Sequence, residues 1–445
     1  MRVIADLQIH SKYSRAVSQK MDLFHIAEWA EKKGIDLVAT GDWTHPLWFK
    51  HILANLEEVD DGVFRLSKKV IKSKGQRYGR ETRFILSTEI SSIYKQGDSV
   101  RRIHTLVFSP SLKTAEKIID HLRRRGCNLL SDGRPIVGLS VIQIAELVLG
   151  IDPNVLIIPA HIWTPWFSLF GSRSGFDSIK EAFGEYEKYI YAVETGLSSD
   201  PIMNWQIKEL KKRRILSFSD AHSGVKLGRE ASVFYTKKTR FSYKDLYGAI
   251  KGDRSDMSLR FTIEFFPEEG KYHLSGHRDC KVRLTPEEVK EKGKICPVCR
   301  KNLTIGVKDR VVELSYKTYS KDELDFKENS KGVVFVRDKK GEHLPFVSLV
   351  PLLEIIEQIE GSKTKAFRRY NQLLESFAPE FEILLDKDLE EIEIQAGPDL
   401  AKAIGNLRKR RVDIDPGYDG VFGTIKVVFN NEQKQEGKKS QLGLF

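Results

Sequence analysis

The chain has 445 residues, 40% of them hydrophobic, which is enough for two or three domains with a large core. Lys and Arg outnumber Asp and Glu by 73 to 62, a net charge of +11 that favours a polyanionic partner. No stretch is apolar and long enough to span a bilayer, and MRVIADLQIH reaches Asp6 and His10 before a signal region develops, so neither a membrane span nor a secretory peptide is expected.

Residues 1–240 alternate between two patterns. Short β-rich runs are VIADLQIH (3–10), IDLVATGD (35–42), RFILSTEI (83–90), HTLVFS (104–109), NVLIIPAH (154–161), YIYAVETG (189–196) and ILSFSDAH (215–222). Amphipathic helical patterns lie between them at 21–34, 113–126 and 201–213, the first two closed by Gly34 and Gly126. Strands alternating with such helices predict parallel βα units, and seven runs predict a distorted seven-stranded (β/α) barrel, with a doubly wound open sheet as the rival. Beyond about 260 the pattern changes. Three of the four cysteines cluster in 277–299, residues 345–376 read as helix, and NNEQKQEGKKS reads as a flexible tail. The basic runs at Arg101-Arg102, Arg123-Arg124-Arg125, Lys211-Lys212-Arg213-Arg214 and Arg408-Lys409-Arg410-Arg411 each read alone as solvated helix ends.

Six of the seven runs finish with a potential metal ligand: His10, Asp42, Glu89, His161, Glu194, and Asp220 with His222. His104 starts its run instead, His45 follows in TGDWTHP, and Gln8 shares a strand face with His10. A lone strand-end Asp more often caps a helix, and a lone His is more often a satisfied core residue. Parallel strands, however, would bring all of these to one rim. So many ionisable groups in one cavity would be costly to desolvate without cations. Imidazole and carboxylate donors suit two or three zinc, magnesium or manganese ions, which can activate a water and stabilise an in-line phosphoryl displacement. Asp220, Glu89 and His161 are the residues expected to carry that chemistry.

The spacing His277-x2-Cys280-x15-Cys296-x2-Cys299 predicts a closed structural zinc site of ribbon type, with His273 competing for the imidazole place. With Cys127 alone elsewhere, the cysteines form a poor disulfide set, which suits a reducing cytoplasm. HIWTPWFSLFGSRSGFDS (161–178) starts at a proposed ligand and supplies Trp163, Trp166, Phe167 and Phe170. Such aromatics could stack an extruded base, although at least two are expected to pack the loop. A backbone N–H at Gly171-Ser172 could donate to a carbonyl of such a base.

The strand-end set resembles the PHP (polymerase and histidinol phosphatase) superfamily. Its HxH motif would read Gln8-Ile9-His10, and its last motif is matched by Ser219-Asp220-Ala221-His222. Its second motif is altered, Asp42 being followed by Trp43. Over nearly the full chain the sequence resembles the endonuclease Q family, most specifically in DLQIHSKYSRA, TGDWTHP, ETGLSSDPIMNW, KLGREA and KYHLSGHRDC. That resemblance implies a PHP barrel (1–258), a zinc-binding region (259–315), a C-terminal mainly helical region (316–430) and a tail (431–445). It also implies nicking of DNA on the 5′ side of uracil, hypoxanthine, xanthine or an abasic site. Gln441, Leu442, Leu444 and Phe445 resemble the QLxLF segment by which bacterial repair proteins bind the sliding clamp. The expectation is thus a monomeric, nucleoid-associated repair nuclease. The alternatives are a phosphatase for a small phosphate ester and a non-catalytic, zinc-stabilised DNA-binding scaffold.

Overall fold

A computed structural model describes residues 1–74, 81–253 and 256–428, so the clamp-like residues Gln441, Leu442, Leu444 and Phe445 lie outside the described residues. All seven β-rich runs contribute strands, but they are not all parallel. Arg2–Asp6, Leu37–Ala39 and Arg83–Gln96 pair in parallel. Arg83–Gln96 then turns through Gly97-Asp98 into the antiparallel strand Ser99–Ser109, which pairs antiparallel with Leu156–Pro159. Ala192–Glu194 and Arg214–Leu216 form a separate parallel pair. The seven runs therefore do not make the uniform parallel ladder the sequence pattern predicts. An isolated bridge between Ile9 and Ala221 links the end of the first run to the end of the last, with the His10 N–H donating to the Ala221 carbonyl at 3.0 Å. Buried Asp6 reinforces that junction by accepting from the Ser219 N–H (3.0 Å) and the Gly228 N–H (2.9 Å).

The hairpin explains the one run that broke the strand-end rule. On an antiparallel strand the start of the run lies at the end where its parallel neighbours finish, so His104 reaches the same rim as Glu89. In the ladder Glu89 faces Leu106, and Ser91 faces His104.

Two of the predicted helices form with the caps their sequences specify. Leu23–Lys33 starts at Asp22, whose side chain accepts from the His25 N–H, and stops at Gly34 in the left-handed region (φ 81°). Leu112–Arg124 presents Ala115, Ile118, Ile119 and Leu122 to the core. The third pattern does not make one helix: Pro201–Trp205 is followed by a 3-10 turn at Lys208–Lys212. Among the described residues no helix is long and apolar enough to cross a membrane.

The later part of the chain shares the central sheet. Met257–Glu264 pairs antiparallel with Ala231–Thr236 and parallel with Phe346–Ser348, so the boundary expected after residue 258 falls inside a strand. Phe346–Ser348 is thus a strand where a helix was expected. The helices follow it at Leu352–Glu360, Lys363–Ser376, Glu380–Leu385, Leu389–Ala396 and Pro398–Arg408. The last basic run is not wholly solvated either. Arg408 is buried, and its guanidinium donates to the carbonyls of Leu384, Ile383, Lys331 and Lys387.

One buried ion pair joins the first helix to this helical region. Lys33 Nζ lies 2.7 Å from Glu380 Oε2, which also accepts from the Tyr370 hydroxyl at 2.5 Å, while Oε1 accepts from the Leu352 N–H at 3.1 Å. Removing one partner would leave the other charge buried without compensation. Glu380→Ala is expected to lower stability by about 3–5 kcal/mol, read as an earlier urea unfolding midpoint. An unchanged midpoint would show that the pair carries none of the packing between these helices.

Candidate metal centre

The rim gathers two groups of donors, each with its ligand atoms within 4.8 Å of one another: His10, Asp220 and His222, and Glu89, His104 and His161. Glu89 links them. Its Oε1 lies 2.5 Å from His104 Nδ1 and 3.6 Å from His161 Nε2, while its Oε2 lies 3.3 Å from His10 Nε2. Oε2 also accepts from Gln8 Nε2 at 2.9 Å. Asp220 Oδ1 sits 3.1 Å from His10 Nε2. The imidazoles crowd one another, with His104 Nδ1 at 3.2 Å from His161 Nε2.

The backbone delivers these side chains by an unusual route. Asp42 (φ 47°), His161 (φ 31°) and Asp220 (φ 48°) are non-glycine residues in the left-handed region, which is rare and strained. The departure turns the chain sharply where each strand ends. Gly196 permits one close approach: a Cβ there would lie 2.4 Å from the His161 Cβ.

The electrostatics favour bound cations. Burial pushes the Glu89 carboxyl up, but His104 and Arg134 outweigh it and hold the group well below its ordinary range. Asp220 is likewise pushed up by burial and pulled down by His10, with the net at about 2. Burial drives His104 down to about 4, leaving a neutral imidazole with a lone pair to donate. Three buried polar atoms of the cluster, Gln8 Oε1, His10 Nε2 and Asp220 Oδ1, have no hydrogen-bond partner. The short His10–Asp220 separation is not directed as a hydrogen bond. A divalent ion between His10 Nε2 and Asp220 Oδ1 would satisfy both, and imidazole nitrogen with carboxylate and amide oxygen is a donor set such ions accept.

Three of the predicted ligands are placed otherwise. The Asp42 carboxylate accepts from His10 Nδ1 (3.0 Å), the Ser11 N–H (2.6 Å), the Ser11 hydroxyl (2.7 Å) and the Ser14 hydroxyl (2.8 Å). It therefore orients His10 and lies outside both donor groups. His45 caps the helix Pro46–Asn55, accepting from the Trp48 N–H, and stacks on Tyr13 at 4.5 Å. It lies outside both donor groups. Glu194 is buried and spends its carboxylate on the backbone N–H groups of His161 and Gly196. Burial pushes that carboxyl up to about 7. Sequence reading missed Arg134, whose Nη1 is 3.5 Å from Glu89 Oε1. It lies in DGRP, a turn with no periodicity, and its only signal was a basic residue next to turn formers.

The aromatic loop divides. Trp163 and Phe170 are core residues with rings 5.0 Å apart, and Trp163 Nε1 donates to Asn204 Oδ1. The Gly171 N–H donates to the Ser168 carbonyl and the Ser172 hydroxyl to the Ile305 carbonyl, so both contacts brace the loop. Trp166 and Phe167 remain partly exposed, with Phe167 4.8 Å from the His104 ring. Away from the rim, His277, Cys280, Cys296 and Cys299 converge with their donor atoms within 4.8 Å. Burial and the neighbouring thiols push Cys280 up to about 11, a crowding that a cation would relieve. His273 is buried outside this group, so His277 is the imidazole member.

Because Asp42 acts through His10, Asp42→Ala should weaken divalent-ion affinity by about 10–100-fold without removing a donor. Calorimetric titration of the chelator-treated protein checks this, and unchanged affinity would contradict it. Cys296→Ser should lower zinc content by about one equivalent, as a closed four-donor site requires. Full retention would contradict that assignment.

With this geometry in view, the relatives are informative. Residues 351–411 match the family model of the MJ0043 C-terminal domain. Uncharacterized protein YqxK of Bacillus subtilis is 29% identical over 441 residues, covering 96% of this chain and 99% of that one. Uncharacterized protein MJ0043 of Methanocaldococcus jannaschii is 31% identical over 277 residues, 60% of this chain and 31% of that relative, so the match spans about a third of its length. Two solved structures match with TM-score 0.79 and 31% identity. One is the lesion-specific endonuclease PfuEndoQ from Pyrococcus furiosus, covering 98% of this chain and 99% of that one. The other is endonuclease Q in complex with a 27-mer duplex substrate carrying an abasic lesion at the active site, covering 100% of this chain and 99% of that one. At that identity, over nearly the whole of both chains, this chain belongs to the endonuclease Q family.

Proposed function

We propose that the chain is a metal-dependent DNA repair endonuclease. It nicks the phosphodiester bond 5′ of a deaminated base (uracil, hypoxanthine or xanthine) or an abasic site, leaving a 3′-hydroxyl and a 5′-phosphate. The observation that carries the reading is the pair of donor groups sharing Glu89, which offers one carboxylate oxygen to each. The abasic-duplex complex of endonuclease Q supports the choice of substrate class.

Two or three zinc, magnesium or manganese ions at these donors would acidify a water and neutralise charge on the phosphate as it is attacked. The chain's own residues set up that chemistry. His10, held by Asp42, and the ionised Asp220 supply one group of donors, with His222 beside them. His104 and His161 supply the other, and Gln8 presents a free carbonyl oxygen in place of a ligand imidazole. Arg134 adds a fixed cation beside Glu89 that can meet a phosphate oxygen. Trp166 and Phe167 are the loop aromatics left to contact an extruded nucleotide. His277, Cys280, Cys296 and Cys299 hold one structural zinc. The protein works as a monomer in the nucleoid, and the tail residues Gln441, Leu442, Leu444 and Phe445 tether it to a sliding clamp, raising its local concentration on DNA.

Asp220→Ala should abolish nicking of a labelled duplex bearing one deoxyuridine or abasic site while retaining most of its DNA affinity. A near wild-type rate would overturn the metal assignment. Turnover of a chromogenic phosphate monoester with no nicking by the wild type would favour a phosphatase. A 1–439 truncation should cut a short free oligonucleotide normally and lose clamp binding in a pull-down. Equal retention by both forms would remove the tether.

A further inference from the structure

The segment Asp413–Lys426 carries a feature that the metal centre does not use. Asp413–Asp415 and Thr424–Lys426 pair as a short hairpin, and between them Tyr418 and Val421 exchange both backbone hydrogen bonds across Asp419-Gly420. Asp419 (φ 41°) and Gly420 (φ 88°) are both left-handed, as a tight two-residue turn requires. Phe422 follows directly and is 69% exposed, next to Val421 at 41%. A large aromatic on a loose loop could fold back onto apolar surface. This one is held out by a pinned backbone.

The pinning comes from the segment beside the zinc-binding group. The N–H groups of Gly417, Gly420 and Gly423 donate to the carbonyls of Glu268, Lys271 and Glu269 at 2.7, 2.7 and 3.0 Å. The contact is too close for side chains, since a Cβ on Gly423 would lie 2.3 Å from the Glu268 carbonyl oxygen. The Arg278 N–H donates to Asp419 Oδ2 at 2.7 Å.

The tip also sits at the end of a track that leads from the metal centre. Trp166, five residues after His161, packs edge-on against Tyr272 at 5.7 Å. Lys271 Nζ lies 5.5 Å from the Tyr272 ring and 5.8 Å from the Phe422 ring. Lys271, Arg278 and Lys426 are exposed around the tip, while Asp415 is paired with Arg283 and Asp419 with the backbone. A rigid apolar protrusion flanked by cations, joined by ring contacts to the loop that follows His161, has the chemistry of an element that enters a base stack while its neighbours hold phosphates.

We infer that Val421-Phe422 is a wedge that enters double-stranded DNA at the step vacated by an extruded nucleotide, with Lys271 and Arg278 on the adjoining phosphates. The inference rests on the nuclease reading. It adds that opening the duplex depends on this hairpin as well as on the loop next to the metals. The ring would fill the gap in the stack and hinder return of the flipped nucleotide.

The test compares wild type and Phe422→Ala on the same labelled strand carrying one abasic site, alone and fully paired. An exposed side chain adds little to folding, so matching thermal melts and metal contents are expected. Loss of stacking should slow nicking of the paired substrate by about tenfold and leave the single strand nearly unaffected. Phe422→Trp should restore the paired rate. A 2-aminopurine beside the lesion should brighten on binding wild type and not on binding Phe422→Ala. Equal slowing on both substrates, or none on either, would overturn the wedge. If wild type cuts neither substrate, the nuclease reading fails instead.

Discussion

The Glu89 carboxylate is buried between His104 and His161 on one side and Gln8 and His10 on the other, with Arg134 behind it. An isolated carboxylate could not remain ionised there, because burial alone drives it toward the neutral form. It stays charged because neighbouring imidazoles and a guanidinium surround it, and the same crowding leaves donor atoms unsatisfied. The strand-to-hairpin transition at residues 83–109 places Glu89 and His104 side by side.

Several backbone features follow from that requirement. Three residues at the rim adopt the left-handed conformation, and glycines stand where another chain must approach a site side chain. A Cβ at Gly41 would lie 2.4 Å from the Ile9 carbonyl oxygen, and one at Gly133 would lie 2.4 Å from an Asp42 carboxylate oxygen. These positions are poor choices for stability and good ones for geometry. The stabilising contacts lie elsewhere, in the apolar core behind the strands and in pairs such as Lys33–Glu380 that hold the C-terminal helices on the first helix.

Much of the centre was legible in the sequence, because a polar residue at the end of a buried strand is conspicuous. His10, Glu89, His161, Asp220 and His222 stand out that way and do converge. His104 looked anomalous only because pairing direction cannot be read from a run of apolar residues. Asp42, His45 and Glu194 carry the same signal and do different work: orienting an imidazole, capping a helix, and tying down backbone N–H groups. Residue type alone does not separate a ligand from the group that positions it. Arg134 was hidden in an irregular turn. That at least two of the loop aromatics would pack the loop was legible, but which two was not: Trp163 and Phe170 are the buried ones, because a tryptophan-rich loop reads the same whichever rings face the core. The cysteine spacing was more informative, since the four donors at those intervals do converge, with His277 and not His273 as the imidazole beside the thiols.

The central claim is that Glu89 makes one centre out of two donor groups. Metal content of Glu89→Gln, measured by inductively coupled plasma mass spectrometry after dialysis against a weak chelator, tests it directly. The substitution keeps the shape and one carbonyl oxygen but removes the shared charge. The account predicts that the ions of both groups are lost together while the zinc of the cysteine group is retained. Retention of one rim ion at full occupancy, with the other lost, would contradict it and would mean that the two groups bind independently.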